Sequence, residues 1–484
     1  MAATVYDVIV VGGGGTGLMA AHAASALGRS VLVLEKGPRL GGTTALSVGT
    51  LCTSGTPHQK RAGISDRPED HFADMALFAG DLAARDNLDL RRLLTEEVPL
   101  TFRWLMDAGI EFVGPIEEPP HRVPRLHAIV PHSRGYIRQL AKMCARKEVT
   151  FETDARAEAL LFADDRSRVT GVRYRQGDQT HEVHAERAVI LASGDFSAAD
   201  RQFKSRFMTG PLLEIGGINP LSTGDGQILG ETAGGEILNG DLAWGPEIRF
   251  LAPPTPELIA KLPPYRPLAK AIATAMRTLP DALLRPLLLS YVTTYLAPSH
   301  GLFREGAILI SRDGARFCDE TNRPQDAIGR QPDQIAHIVF DQAIAERFET
   351  WPNFVSTAPG VGYAYLADYA RSRPDIYHRS SSPQALAAAL GVPGAALAEA
   401  LGSAGLERGP FHALGPAKSW IVFSEGGLKV DRSLRVLDRD GAPVPGLYAA
   451  GSAGQGGLIL EGHGHHLAWA FTSGRLAGSH AAAA

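Results

Sequence analysis

Residues 5–11 (VYDVIVV) form an almost continuous apolar run rich in β-branched positions, the pattern of a short strand covered on both faces. A glycine loop spans residues 12–17. Small and apolar residues at helical spacing follow over 18–27, and a second apolar run over 30–34 ends in Glu35. The spacing predicts a β-α-β unit of about thirty residues. Residues 67–110 and 133–147 carry amphipathic helical spacing, while 149–162 and 168–193 read as strands and turns ending in AVILASG. Near residue 240 the character changes. Prolines become dense (APPTPELIAKLPPYRP), two apolar stretches follow, and a mixture of strands and helices runs to about 415. The last segment, 419–484, returns to strand, turn and strand, then a glycine loop opening a helix. The pattern predicts an α/β fold. A Rossmann-like domain in two parts, 1–240 and 416–484, encloses an inserted α+β cap domain at 241–415.

Composition narrows the class. The chain has 484 residues, 44% apolar and 21% charged, enough for two or three domains with ordinary soluble cores. A formal net charge of −4 gives no electrostatic case for nucleic acid. Cys52, Cys144 and Cys318 are scattered, without a CxxC pair or metal-ligand spacing, which fits a reducing cytoplasm. The N-terminal apolar run has no basic flank and leads straight into glycines, so it reads as a buried strand and not as a signal peptide. In 267–298, neither uninterrupted apolar stretch reaches the roughly twenty residues of a spanning helix. An oligomer contact, a membrane-surface patch, the lid of a hydrophobic tunnel and plain cap core all stay open for it.

The loop Gly12-Gly13-Gly14-Gly15-Thr16-Gly17 fits G-x-G-x-x-G, directly after a strand and before a helix. That context is what the mechanism of dinucleotide binding demands. The first glycine makes a tight turn, the second lets backbone approach a pyrophosphate, and the third lets helix and strand pack closely. The helix start offers N–H donors and a positive dipole. Glu35 stands where a carboxylate can accept from ribose hydroxyls.

After Glu35 and Lys36 comes a second small-residue stretch, with Gly41, Gly42, Thr43, Thr44, Ser47 and Gly49, suited to a cofactor running on past its pyrophosphate. With these residues the chain resembles the fumarate reductase / succinate dehydrogenase flavoprotein superfamily, in its 3-ketosteroid-dehydrogenase-like branch. Further segments match in order: AVILASG with Ser193 and Gly194, the TGDG turn with Asp225, GAILISRDGARFCDE, GLYAAG, and the closing GHGHHLAWAFTSGRLAG. The resemblance implies FAD, with Ala157 beside the adenine and Gly451 and Ser452 where many members carry Glu. It also implies non-covalent attachment, because the family's covalent-flavin histidine context is missing after Gly42. No second G-x-G-x-x-G follows a strand, so the electron donor or acceptor is left open.

Family chemistry moves hydride between the flavin and a carbon near a carbonyl or carboxylate. It needs a cation or hydrogen-bond donors for the enolate-like state and an acid/base within reach. By resemblance, Arg323 is a proton-donor or carbonyl-clamp candidate, with an interface salt bridge as the plain alternative. Ser424 follows Phe423 where fumarate reductases carry a His-Thr pair. The family's other histidine would fall near Trp244, and its C-terminal arginine has no counterpart. These losses argue against a four-carbon dicarboxylate, and Leu460 stands where the ketosteroid enzymes place a tyrosine. Glu461, His463, His465 and His466 open the last helix. There the backbone N–H groups of His465, His466 and Leu467 could stabilise reduced flavin and one imidazole could serve as acid/base. The H-x-H-H run has no second ligand set, so no metal site is expected. Arg125-x-His127 could line a pocket or cap a helix, and His22, His71, His181, His184 and His337 read as surface or core residues. The expectation is an FAD-dependent oxidoreductase, dehydrogenase or ene-reductase, acting on a C–C bond α,β to a carbonyl of a hydrophobic substrate, with cyclic or steroid-like compounds among the candidates. The chain could also form homo-oligomers. An oxidase using O₂ and a non-redox flavin isomerase or hydratase are the rivals.

Overall fold

The computed structural model describes residues 4–253, 261–280, 293, 297–358 and 362–484. The opening apolar run is strand β1 (Thr4–Val11), whose last four residues are fully covered. It pairs in parallel with β2 (Val31–Leu34) on one side and with Gln179–Leu191 on the other. The same sheet extends through Thr150–Glu152 at one end, and through Pro443–Ala449 and Arg435–Leu437 at the other. An antiparallel pair, Ala155–Phe162 and Val169–Gln176, folds out from Gln179–Leu191. Chain from both ends therefore closes one sheet.

Helix α1 (Gly15–Ala26) is apolar or small almost all round, and all but two of its residues are buried. A helix of that kind must be covered on every side. The sheet covers one face, and the closing helix covers another. Gly474 and Gly478 of that helix stand one turn apart and meet the backbone of Thr16 and Ala20, which are also one turn apart on α1. Small residues on both partners let the two backbones approach closely.

Between these parts lie further pieces. A three-stranded sheet holds β3 (Thr50–Cys52), Leu126–Val130 and Glu111–Ile116, and helix α2 (Pro68–Ala79) follows β3 in the chain. A five-stranded antiparallel sheet is built on Phe411–Trp420, which pairs with Glu247–Phe250, Tyr377–Ser380 and Ile335–Phe340. This second sheet has its own apolar core, from Ile248 to Ala417. Ala243–Trp244 pairs with Phe423–Ser424, so the outgoing and returning passages cross side by side. In the apolar insert, helix Arg266–Thr278 turns Ala269 and Ala273 inward. The rest of the insert, 281–292 and 294–296, lies outside the described residues. Among the described residues no helix is long and apolar enough to cross a membrane.

The contact between the first and last helices gives a direct test. Helix propensity alone would favour Gly478→Ala by about 1 kcal/mol. A Cβ there would lie 2.2 Å from the Ala20 carbonyl oxygen, a backbone atom that cannot swing aside. Overpacking of this kind costs about 1–3 kcal/mol. Gly478→Ala is therefore expected to lower the thermal unfolding midpoint, and a rise in the midpoint would show that the helices have room to part.

Candidate functional site

The sheet and the closing helix leave one long cavity, and its first part is built by the glycine loop. Gly12 takes φ +110, and a Cβ there would meet the Ala192 carbonyl at 2.4 Å. Gly14 differs: its backbone is extended, and a Cβ on it would meet nothing closer than 3.9 Å and would project into the cavity. Space beside a glycine at the start of a helix is what a pyrophosphate needs. Gly12, Gly14, Gly15 and Thr16 line the cavity, whereas Gly17 packs on the Gly12 carbonyl, so its function is close packing.

Glu35 directly follows β2 and lines the cavity. Its two oxygens accept from Gly13 N (2.8 Å) and Gly37 N (2.7 Å), which fixes the carboxylate and leaves each oxygen a further lone pair for ribose hydroxyls. Lys36 donates to Asp225 (2.7 Å) and to Thr223 Oγ1 (2.5 Å), and Arg156 also reaches Asp225 at 3.0 Å. Burial would raise the Asp225 carboxyl, but Lys36 and Arg156 hold it below the usual range. Gly41 donates to the Gly13 carbonyl at 3.0 Å, which brings the second small-residue stretch beside the first. Gly42, Thr43, Thr44, Ser47 and Gly49 line the cavity, and Asn219 Nδ2 donates to Thr43 Oγ1 at 2.9 Å. Ala157, Ser193, Gly194, Asp225 and Ser452 complete this part. Gly41 and Gly451 do not line it. Gly451 N donates to Ser473 Oγ (2.8 Å) and its carbonyl accepts from Trp469 Nε1 (3.1 Å), tying the loop to the last helix. The carboxylate, the open glycine and the helix start fit a dinucleotide, and these are the groups that would hold FAD.

The far part of the cavity has a different lining. The last helix, α3 (His465–Ala483), starts here from Gly464, whose φ is +81. His463, His466 and Leu467 line this end, together with Trp244, Glu247, Arg249, Val422 and Phe423. Glu247 accepts from Trp244 Nε1 at 2.9 Å and from Arg249 Nη2 at 2.8 Å. The exposed His463 ring donates from Nδ1 to Glu118, and that contact raises its pKa. His466 Nε2 lies 3.2 Å from Glu425 Oε1, and the Phe423 ring packs on His466.

The other candidate catalytic residues lie outside the lining. Arg323 is exposed and pairs with Asp326 at 2.5 Å. Ser424 is fully buried, with its hydroxyl accepting from Phe196 N at 3.1 Å. Burial, then Glu425, raises the Glu461 carboxyl, but Glu461 does not face the cavity. His465 turns inward: its Nδ1 donates to the Glu461 carbonyl at 2.7 Å, and burial pushes its pKa down to about 4. Arg125 is buried on Asp66 and Asp74, and His127 meets Thr56, so neither lines the cavity. Sequence reading missed Asn219, Glu247, Arg249 and Glu118. No motif marks them, and only the crossing of strands near 244 and 423 brings Glu247 and Arg249 to the site.

The FAD binding domain family model matches residues 7–253 and 271–459. Among characterised proteins, 4-oxocyclohexanecarboxylate 2-dehydrogenase from Sinomonas cyclohexanicum is 25% identical, over 98% of this chain and 92% of that one. NADH:fumarate oxidoreductase from Klebsiella pneumoniae is 26% identical over 92% of this chain but only 44% of its own length. Solved structures are similar too, these two among them. The open conformation of a flavocytochrome c3 fumarate reductase has a TM-score of 0.73 at 21% identity, covering 99% of this chain and 78% of that one. The 3-ketosteroid-Δ4-(5α)-dehydrogenase of Rhodococcus jostii has a TM-score of 0.60 at 22% identity, covering 99% and 97%.

Gly14→Val is expected to fold, because neither the extended backbone nor the surrounding atoms oppose a side chain there. It should purify without flavin, as judged by the visible-to-ultraviolet absorbance ratio with an unchanged far-UV circular dichroism spectrum. A yellow Gly14→Val protein would remove the pyrophosphate from this loop.

Proposed function

The chain belongs to the FAD binding domain family, and from that premise we propose that it is an FAD-dependent dehydrogenase or ene-reductase for a compact, apolar, carbonyl-bearing substrate of the cyclic-ketone kind. It is an FAD-dependent oxidoreductase acting on CH–CH bonds; the proposal concerns the substrate and the residues that grip it. The observation that carries it is the far end of the cavity, where Arg249 and His463 share a wall with the apolar faces of Trp244, Val422 and Phe423. Residues 241–415 would serve as the cap over this end, with Arg249 on the cap's first long strand.

Bound FAD supplies the hydride donor or acceptor. The chain's own task is to hold the substrate carbonyl so that negative charge developing on its oxygen meets fixed donors, which is usually the largest single contribution to such catalysis. Arg249 is a permanent cation with planar donors, and Glu247 sets its orientation. His463 has Nδ1–H committed to Glu118, a contact that favours the protonated ring, and in that form Nε2–H can donate to the same oxygen. The rings of Trp244 and Phe423 offer apolar faces that suit a cyclic substrate. The pairing of cations with apolar walls is in keeping with the ring-ketone acid named for the Sinomonas relative, and the same cations favour a small unsaturated carboxylate as the second reading.

Arg249→Met keeps the length of the side chain and removes the donors. Loss of one such donor typically costs about 10²–10³ in rate. Flavin reduction by a saturated cyclic ketone, followed by stopped flow, is expected to slow by about that factor with flavin content unchanged. An unchanged rate would remove Arg249 from the grip. Reoxidation of the reduced protein by acrylate or fumarate, faster than by any cyclic enone, would favour the second reading.

A further inference from the structure

Behind the far wall of the cavity, four side chains from four separate segments converge. Cys52 ends β3, His71 lies on α2, His121 sits in the loop before Leu126–Val130, and His465 opens α3. All four are buried, and Cys52, His71 and His465 are fully so. Their ligand atoms, one sulfur and three imidazole nitrogens, all lie within 4.8 Å of one another. Cys52 Sγ is 3.3 Å from His121 Nε2 and 3.6 Å from His71 Nε2, and His71 Nε2 is 3.1 Å from His465 Nε2.

We propose that this cluster is a tetrahedral transition-metal site, Cys52-His71-His121-His465, whose best-fitting occupant is zinc(II). Bond lengths of about 2.0–2.1 Å to nitrogen and about 2.3 Å to sulfur put the edges of a tetrahedron at roughly 3.3–3.7 Å. Three of the separations, 3.1–3.6 Å, lie near that range and the rest fall within 4.8 Å, so closing the site asks for side-chain shifts of at most about an ångström. One thiolate with three imidazoles, none of them open to solvent, is a closed donor set of the structural kind.

The surroundings agree with a cation. His465 donates its Nδ1 proton to the Glu461 carbonyl, and this fixes the tautomer that turns a bare Nε2 to the centre. Arg125 donates to His121 Nδ1 at 2.9 Å, so in the metal-free state the His121 proton sits on Nε2, against Cys52. On binding, that proton moves to Nδ1, so the Arg125 guanidinium must turn away from the ring before Asp74 Oδ2, 4.0 Å off, can close in and accept it in a carboxylate–histidine–metal arrangement. The Cys52 proton leaves to solvent as the thiolate coordinates. Asp66, Asp74 and Glu118 stand around the cluster, with two guanidiniums, Arg125 and Arg122, both on Asp74. Glu118 Oε2 is buried without a hydrogen-bond partner among the described residues.

The site would pin the start of α3. Gly464 accepts from Cys52 N at 3.3 Å, and His466, the next residue after His465, faces the cavity. A metal at His465 therefore staples β3 and α2 to the turn that carries the far wall.

The test uses the full-length, FAD-loaded protein. Elemental analysis of protein purified without chelators is expected to give one equivalent of zinc. Replacement by cobalt(II) is expected to give ligand-field bands to the red of the flavin absorption and thiolate-to-metal charge transfer in the near ultraviolet. Cys52→Ser should abolish the charge-transfer band, and His71→Gln should lose at least tenfold in cobalt affinity. Stripping the wild-type metal with a strong chelator should lower the thermal midpoint, which keeps the test independent of whether the variants fold. Wild-type protein that holds no stoichiometric metal, and that binds cobalt(II) no better than Cys52→Ser, would overturn the proposal and leave a hydrogen-bonded thiol–imidazole cluster.

Discussion

The backbone contact between α1 and α3 fixes the geometry on which the site depends. Residues 12–17 and 463–467 lie some 450 positions apart in the chain, yet they form neighbouring parts of one cavity. They can do so because Gly474 and Gly478 let the last helix sit directly on Thr16 and Ala20. Larger residues would separate the loop that fits a pyrophosphate from the wall that faces the reacting end. The parallel pairing of Pro443–Ala449 with Gln179–Leu191 enforces the same closure from the sheet side. The inserted segment, with its own core, can then vary in what it brings to the cavity without disturbing the cofactor's seat.

Polarity is distributed along the cavity in a way that suits its chemistry. At one end, a fixed carboxylate, backbone donors and small residues suit a polar nucleotide. At the other, the Arg249 cation is held against the rings of Trp244 and Phe423, where a fixed donor would act more strongly once a bound substrate displaces water. Each group with a role there is steadied by another: Arg249 by Glu247, His463 by Glu118 and His466 by Glu425.

Much of this was legible in the sequence, and for physical reasons. The β1–loop–α1 unit is local: its strand, glycines and helix are contiguous, so pattern and mechanism can be read together. Most residues expected around the cofactor line the cavity; Gly17, Gly41 and Gly451 are held behind it as packing, and His465 turns into the interior. The reacting end was less legible because it is assembled from distant strands. Arg249 and Glu247 carry no motif, while Arg323, singled out by resemblance, lies at the surface on Asp326. The run 463–466 shows a second limit. Consecutive residues at a helix start point about 100° apart, so one histidine can face the cavity while its neighbour faces the interior, and only the packing of α3 fixes that phase. His465 accordingly joins Cys52, His71 and His121, whose spacing in the chain gives no sign of a shared site.

The central claim is that the cavity couples FAD to a C–C bond beside a carbonyl. It is tested most directly by anaerobic titration of the oxidised wild-type protein with saturated cyclic ketones, including 4-oxocyclohexanecarboxylate, while the flavin's visible band is recorded. The account predicts bleaching of that band, slowed when the hydrogens on the carbons α and β to the carbonyl are replaced by deuterium. A band that stays unchanged with every ketone but bleaches with succinate would contradict it.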